Sequence, residues 1–412
     1  MQQEEANNED ELFLAEERRD LALIEAARVG DEDAIKELLL LCANAKAGDG
    51  SDTTALMHAA RAGHDQAVEL LLPWSDASAV DKFGYTAAQY AAQRGHAKCC
   101  QALRESARHK GRDGWTALHW AATEGHLDCV KILAPESDVN AVNKEGEDAL
   151  IMAARAGEIE CVRALSPHST EKKSKDGKTA LAIAASWGQI DCVALLSKNQ
   201  DVNSRDLDGA TPLINAAQMG AWDCALFLAP ISDAKAQTTA GPYGQFGDDA
   251  LMNAAWRASP QAVNALLPLS DPTAAFNNGR TALMAACSPL IQRTPEVVRQ
   301  RIQCIELLAR VSDLRQTNQK GQTAFDVACD SKEWAFVDAL ADQMPQKAIT
   351  DFCGTTDIAK IAERFPRWAA KIEQEALARA TKEHLAEKAC EPVCGHSRKE
   401  NSDHASERKN RL

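Results

Sequence analysis

Nowhere in the 412 residues does an apolar run approach the roughly 18 that a membrane-crossing helix requires. The basic and then greasy leader of an exported chain is lacking as well, because the opening "MQQEEANNEDELFLAEERRD" is acidic. A soluble protein in the cytoplasm is therefore expected, with no membrane partner. Positive charge is in deficit: 46 Lys and Arg stand against 60 Asp and Glu, a net charge of −14. A phosphate binder normally carries a basic face with which to release counterions, so no nucleic-acid partner is expected. Aromatic residues make up only 5% of the chain, which makes any ring at an exposed position informative. No H-E-x-x-H, nucleophile elbow or Walker lysine is found, so catalysis is not expected.

What the chain does contain is repetition. The pattern G-x-T-A-L-x-x-A-A recurs with its glycine at Gly84, Gly114, Gly146, Gly177, Gly209, Gly247, Gly279 and Gly321. A column of Thr54, Thr86, Thr116, Asp148, Thr179, Thr211, Asp249, Thr281 and Thr323 precedes each apolar run. An oxygen at that place accepts from the free amides of a helix start, so this is an N-cap column. The turns end at Gly63, Gly95, Gly125, Gly157, Gly188 and Gly220, where a left-handed residue terminates a short helix. Paired alanines between cap and glycine let neighbouring helices approach closely. A second helix follows, with Leu127, Val130, Ile132 and Leu133 at helical spacing in one unit. An extended polar segment then leads to the next unit. Prolines in "LLPWSD" and "LAPESD" are expected to stop the second helices.

The reactive residue types fall into columns too. Cys99, Cys129, Cys161, Cys192, Cys224 and Cys304 share one place in the second helix. Packed helices lie about 8–10 Å apart and a disulfide needs Cα atoms within about 7 Å, so these thiols are expected to stay reduced and fill a tight interface. His64, His96 and His126 each follow the turn glycine, and His119 sits in a first helix. A group repeated in successive units points to loop-to-loop hydrogen bonds, since one active site would not need so many. The tail "CEPVCGH", Cys390 to His396, has soft ligands in no standard zinc spacing. No metal and no cofactor is expected.

The stretches "DGWTALHWAATEGHLDCVKILAPESDVNAVN" and "DGATPLINAAQMGAWDCALFLAPISDAKA" are those on which the chain resembles the ankyrin repeats. The resemblance implies an all-α solenoid of about ten units, each a helix-turn-helix joined to the next by a β-hairpin-like finger. The expected organisation is an acidic segment over 1–20 and an array over 21–343 whose amino-terminal cap is 21–50. An insertion over 288–301, starting a helix at Thr294 and Pro295, extends one second helix. A helical cap over 344–390 and a disordered polar tail over 391–412 complete the chain.

Ankyrin arrays usually bind a protein on the concave side, formed by finger tips and the outer positions of the first helix. Carried over by position, this selects Lys82, Phe83 and Tyr85, then Arg112 and Trp115, then Glu145 and Glu147, then Lys178 and Trp187, and then Trp256 and Arg257. Tyr243 joins them from "GPYGQFGDD", a finger longer than the rest. Aromatic and arginine side chains are the usual anchors of an interface. The expected role is that of a monomeric, non-catalytic scaffold or adaptor for another protein, the alternative being an inhibitor that covers the active site of a partner enzyme.

Overall fold

The computed structural model describes residues 2–343 apart from 112, 240–247, 277, 291–292 and 332, together with residue 374; for 2–14 it describes the backbone alone. Apart from residue 374, the helical cap and polar tail expected from 344 onward, with the "CEPVCGH" motif, thus lie outside the described residues. The chain divides into two units, Met1–Val337 and Asp338–Leu412.

Twenty α-helices are found among the described residues, alternating between two rows. The first-helix row is α1 (Gln2–Val29), α3 (Ala55–Ala62), α5 (Ala87–Arg94), α7 (Ala117–Thr123), α9 (Ala149–Ala156), α11 (Ala180–Ser186), α13 (Pro212–Met219), α15 (Ala250–Trp256), α17 (Ala282–Ala286) and α19 (Ala324–Ser331). The second is α2 (Glu32–Leu40), α4 (Asp65–Leu71), α6 (Ala97–Ala102), α8 (Leu127–Leu133), α10 (Ile159–Leu165), α12 (Ile190–Leu196), α14 (Trp222–Leu228), α16 (Pro260–Leu266), α18 (Pro295–Ala309) and α20 (Trp334–Ala341). Residue 20, where the acidic segment was expected to end, falls inside α1. From α1 to α17 each helix packs on its partner and on the next helix of its own row, as α5 does on α6 and α7. The first unit is a helical repeat solenoid.

Local chemistry explains these short helices. Thr54, Thr86, Thr116, Thr179, Thr211 and Thr281, with Asp148 and Asp249, each accept a hydrogen bond from the amide three residues on. Such a cap contributes about 1 kcal/mol. Behind it the alanine pairs Ala91 and Ala92, Ala121 and Ala122, and Ala184 and Ala185 are wholly inaccessible to solvent. Small side chains at the helix crossings allow the row to stack closely. In the second row Cys99, Cys129, Cys161, Cys192 and Cys224 are buried free thiols. Burial pushes the thiols of Cys99, Cys161, Cys192 and Cys224 up to about 11, so they pack as neutral, compact groups.

The fingers are turns held by side chains. Among the described residues the only β pairing outside helices is one isolated bridge, Gly48 with Thr54, so the hairpin-like fingers carry no regular ladder. In its place Asp81 Oδ1 accepts from the amides of Phe83 and Tyr85, both at 2.9 Å. Asn143 and Asp206 do the same for their own fingers. An Asx side chain here substitutes for a strand partner. The other carboxylate oxygen ties the finger to its helix, as where Tyr90 Oη donates to Asp81 Oδ2 and Asn215 Nδ2 donates to Asp206 Oδ2. Successive fingers are joined tip to tip by single backbone bonds: Lys144 N to Asp113 O, Lys175 N to Glu145 O, and Leu207 N to Asp176 O, at 2.8–2.9 Å.

The histidine column closes the turns. His64, His96 and His126 bond through Nε2 to Arg28 O, Arg61 O and Gln93 O of the preceding unit. Each ring lies against the preceding turn glycine, which is left-handed. At Gly63 (φ 83°) an added Cβ would stand 2.6 Å from the His96 ring. Gly188 is also left-handed, but its nearest neighbour would be Ala221 Cβ at 3.7 Å. Gly63→Ala is therefore expected to cost about 2–3 kcal/mol, strain plus a displaced imidazole and its lost bond, whereas Gly188→Ala costs only the strain, about 1 kcal/mol. Urea midpoints of the two variants check this. Equal losses would show that the ring contact contributes nothing.

Candidate protein-interaction surface

The described residues among the expected contacts belong to the fingers or to the ends of the first helices. Their environments differ. Phe83 and Trp187 are 64% and 62% exposed. Lys82 is exposed and donates through Nζ to Gly50 O at 2.6 Å. Glu145 is exposed at the tip of its finger, and Lys178 is half-buried, its amide hydrogen-bonded to Ser174 Oγ. Trp256 is half-buried against Met252, Phe276 and Ala285, with the Arg257 guanidinium 5.9 Å from its ring centroid. Glu147 does not face solvent at all. It is buried and paired with Arg155, and it accepts from Asn143 Nδ2 at 3.3 Å, so this finger position acts inside its own unit. Arg112 and Tyr243 lie outside the described residues.

The second and third fingers, with their helices, bring three of the expected residues together. Phe83, Tyr85 and Trp115 line a pocket of about 200 Å³ with Gln89, Asp113, Trp120, Gly84 and Gly111. The rings form a continuous row: Tyr85 lies 5.3 Å from Tyr90 and 5.5 Å from Trp120, and Trp120 lies 4.4 Å from Trp115, centroid to centroid. Their planes are tilted by 33–47°, a favourable arrangement worth about 1 kcal/mol per pair beyond burial. At one end the Arg61 guanidinium sits 5.5 Å from the Tyr90 centroid. Trp187 and Trp256 do not line this pocket.

Sequence reasoning overlooked Tyr90 and Trp120. A signal existed: both stand four residues after the cap threonine of their units, one helical turn into the helix. That place turns the side chain toward the finger, where His58, Tyr90 and Asn215 of different units meet the Asx residue of the turn.

Gln89 and His119 hold the pocket's backbone in place. Gln89 Oε1 accepts from Thr86 N, and its Nε2 donates 2.7 Å to Trp115 O in the next finger. One unit on, His119 Nδ1 accepts from Thr116, and Nε2 reaches Glu147 O at 3.0 Å. Those bonds require a neutral ring with its proton on Nε2. Burial accordingly depresses His119 to about 4. His119 is thus a strut between units, and its chemistry is that of a cap. Trp120 Nε1 is buried and has no hydrogen-bond partner. Among the described residues no group of three His, Cys, Asp or Glu is placed to hold a metal ion, and no helix is long and apolar enough to cross a membrane.

A family model described as ankyrin repeats (3 copies) matches residues 4–77, 23–112, 68–143, 135–206 and 168–240, which together run over more than half the chain. This chain belongs to the ankyrin-repeat family. No curated protein matches it. Past residue 240 the same helix pairs continue through α15 to α19. Ankyrin repeats generally mediate protein–protein interactions and are typically non-enzymatic modules.

Proposed function

We propose that this ankyrin-repeat protein is a non-catalytic scaffold or adaptor, monomeric and cytoplasmic, that binds another protein on the face made by the fingers and first helices. The observation that carries the reading is the concentration of rings there. In a chain with 5% aromatic residues, Phe83, Tyr85 and Trp115 line one pocket at two adjacent fingers, and Trp187 and Trp256 stand at the ends of their first helices. Lys82, Glu145, Lys178 and Arg257 would supply the polar contacts of such an interface. Rigid rings anchor an interface with little loss of side-chain freedom, and a repeat array holds them in place before the partner arrives.

Affinity capture from native cytosol tests this. The full chain is compared with a Phe83→Ala, Trp187→Ala variant, which removes only well-exposed rings, and with a Tyr85→Ala, Trp115→Ala, Trp187→Ala variant. Circular dichroism verifies that each is folded. A partner held by wild type is expected to fall at least tenfold on both variants, as befits the loss of two anchors. Unchanged partners on both would refute the reading.

A further inference from the structure

The pocket between the second and third fingers has a definite chemical character. Its walls are the rings of Phe83, Tyr85, Trp115 and Trp120, and among the described residues the one charged group that lines it is Asp113. Ring faces carry the negative part of the aromatic quadrupole and attract cations within about 6 Å. The field of the neighbouring carboxylates has the same sign: the Tyr85 phenol is pushed up by burial and then by Asp81 and Asp113. Elsewhere on this face two rings already hold a guanidinium of the chain itself, Tyr90 that of Arg61 and Trp256 that of Arg257. Lys144 pairs with Asp113 Oδ1 at 2.9 Å, but the two side chains are 58% and 68% exposed. Such a surface pair is worth less than about 1 kcal/mol and yields easily to a better-placed cation. The volume, about 200 Å³, falls below the roughly 300–1,000 Å³ of small-molecule sites and suits a single side chain.

We propose that this pocket receives a cationic side chain of the partner, an arginine guanidinium or a lysine ammonium, held against the rings with Asp113 as its counter-charge. The proposal rests on the reading that this face binds protein, and adds the chemistry of one contact. A segment of the partner bearing an isolated basic residue would enter between the fingers with that residue leading. Tyr85 and Trp120 form the continuous wall, Trp115 stacks on Trp120, and Phe83, the most exposed of the four, closes over the side chain.

The full-length protein, labelled with ¹⁵N at its indoles, is titrated with acetyl-Gly-Ser-Arg-Ser-Gly-amide and its lysine counterpart. The neutral counterparts contain citrulline and acetyl-lysine, and a leucine peptide tests simple greasiness. Trp115→Phe and Trp120→Phe assign the two indole resonances. At least one cationic peptide is expected to shift both resonances and to bind about fivefold tighter or more than its neutral counterpart. Asp113→Asn, a surface change, should reduce that preference. The proposal is overturned if the neutral or leucine peptides bind as tightly, if no peptide moves the indoles, or if Asp113→Asn leaves the preference intact. Should it fail while Phe83→Ala, Trp187→Ala still abolishes partner capture, the interaction face stands and only its cationic pocket is lost.

Discussion

Arg301→Met is expected to destabilise the array by about 3–5 kcal/mol, and Arg301→Lys to recover only part of the loss. Arg301 is 3% exposed and lies within α18, the long helix of the unit that carries the insertion. Its Nη1 donates to Ala285 O and Ala286 O at 3.0 and 3.1 Å, and its Nη2 to Trp256 O. These carbonyls terminate α17 and α15. The first helices α1 to α13 end within two residues of a left-handed glycine and α15 just before the left-handed Ala258, but α17 stops after five residues with Cys287 in the right-handed region. The guanidinium replaces that glycine, satisfying open carbonyls and placing a positive charge at the negative ends of two helices. Burial holds its pKa down to about 10, which leaves it charged at neutral pH. Methionine fills similar space and donates nothing, so three buried carbonyls lose a charged donor. Lysine restores the charge without the planar fork. Urea unfolding monitored by tryptophan fluorescence gives the values, and a loss under 1 kcal/mol would mean that water replaces the guanidinium without penalty.

Asp249→Asn should stabilise the protein at pH 8 by about 2–4 kcal/mol and have little effect at pH 4. Asp249 caps α15 by accepting from Met252 N at 2.7 Å. It is 2% exposed, and burial, reinforced by Asp248 and Asp271, raises its carboxyl to about 7. In the unfolded chain the same carboxyl loses its proton near 3.8. The folded state therefore binds an extra proton between these values, and this group makes the fold more stable as pH falls from about 7 toward 4. Asp248, raised to about 6 by burial, acts in the same direction. The carboxamide keeps the cap oxygen and removes the buried charge, and each pKa unit corresponds to about 1.4 kcal/mol. Urea midpoints of wild type and variant at both pH values test this. A difference independent of pH would show that the carboxyl titrates normally.

Much of this protein could be read directly from its residues. Threonine caps, turn glycines, alanine pairs and the buried cysteine column are local features repeated at a fixed period. A cap needs only its own next three residues, and a left-handed turn only its own φ. The repeat therefore determined the helices, their order and the family, and Thr294 and Pro295 already announced the start of α18.

The site was legible only in part. Position in the repeat picked out Phe83, Tyr85 and Trp115, yet it could not show that Trp120 completes their pocket, nor that Glu147 turns inward to Arg155. These depend on residues a full unit or more apart, or on which way a side chain leaves a crowded finger. The same holds for Arg301 reaching back to Trp256 O and for the raised carboxyl of Asp249. Sequence alone determined the repeated scaffold because its causes lie within one turn of chain. Tertiary structure decided the pocket, the buried ion pair and the substitute cap, because burial and electrostatic field are set by neighbours that the chain brings together only on stacking.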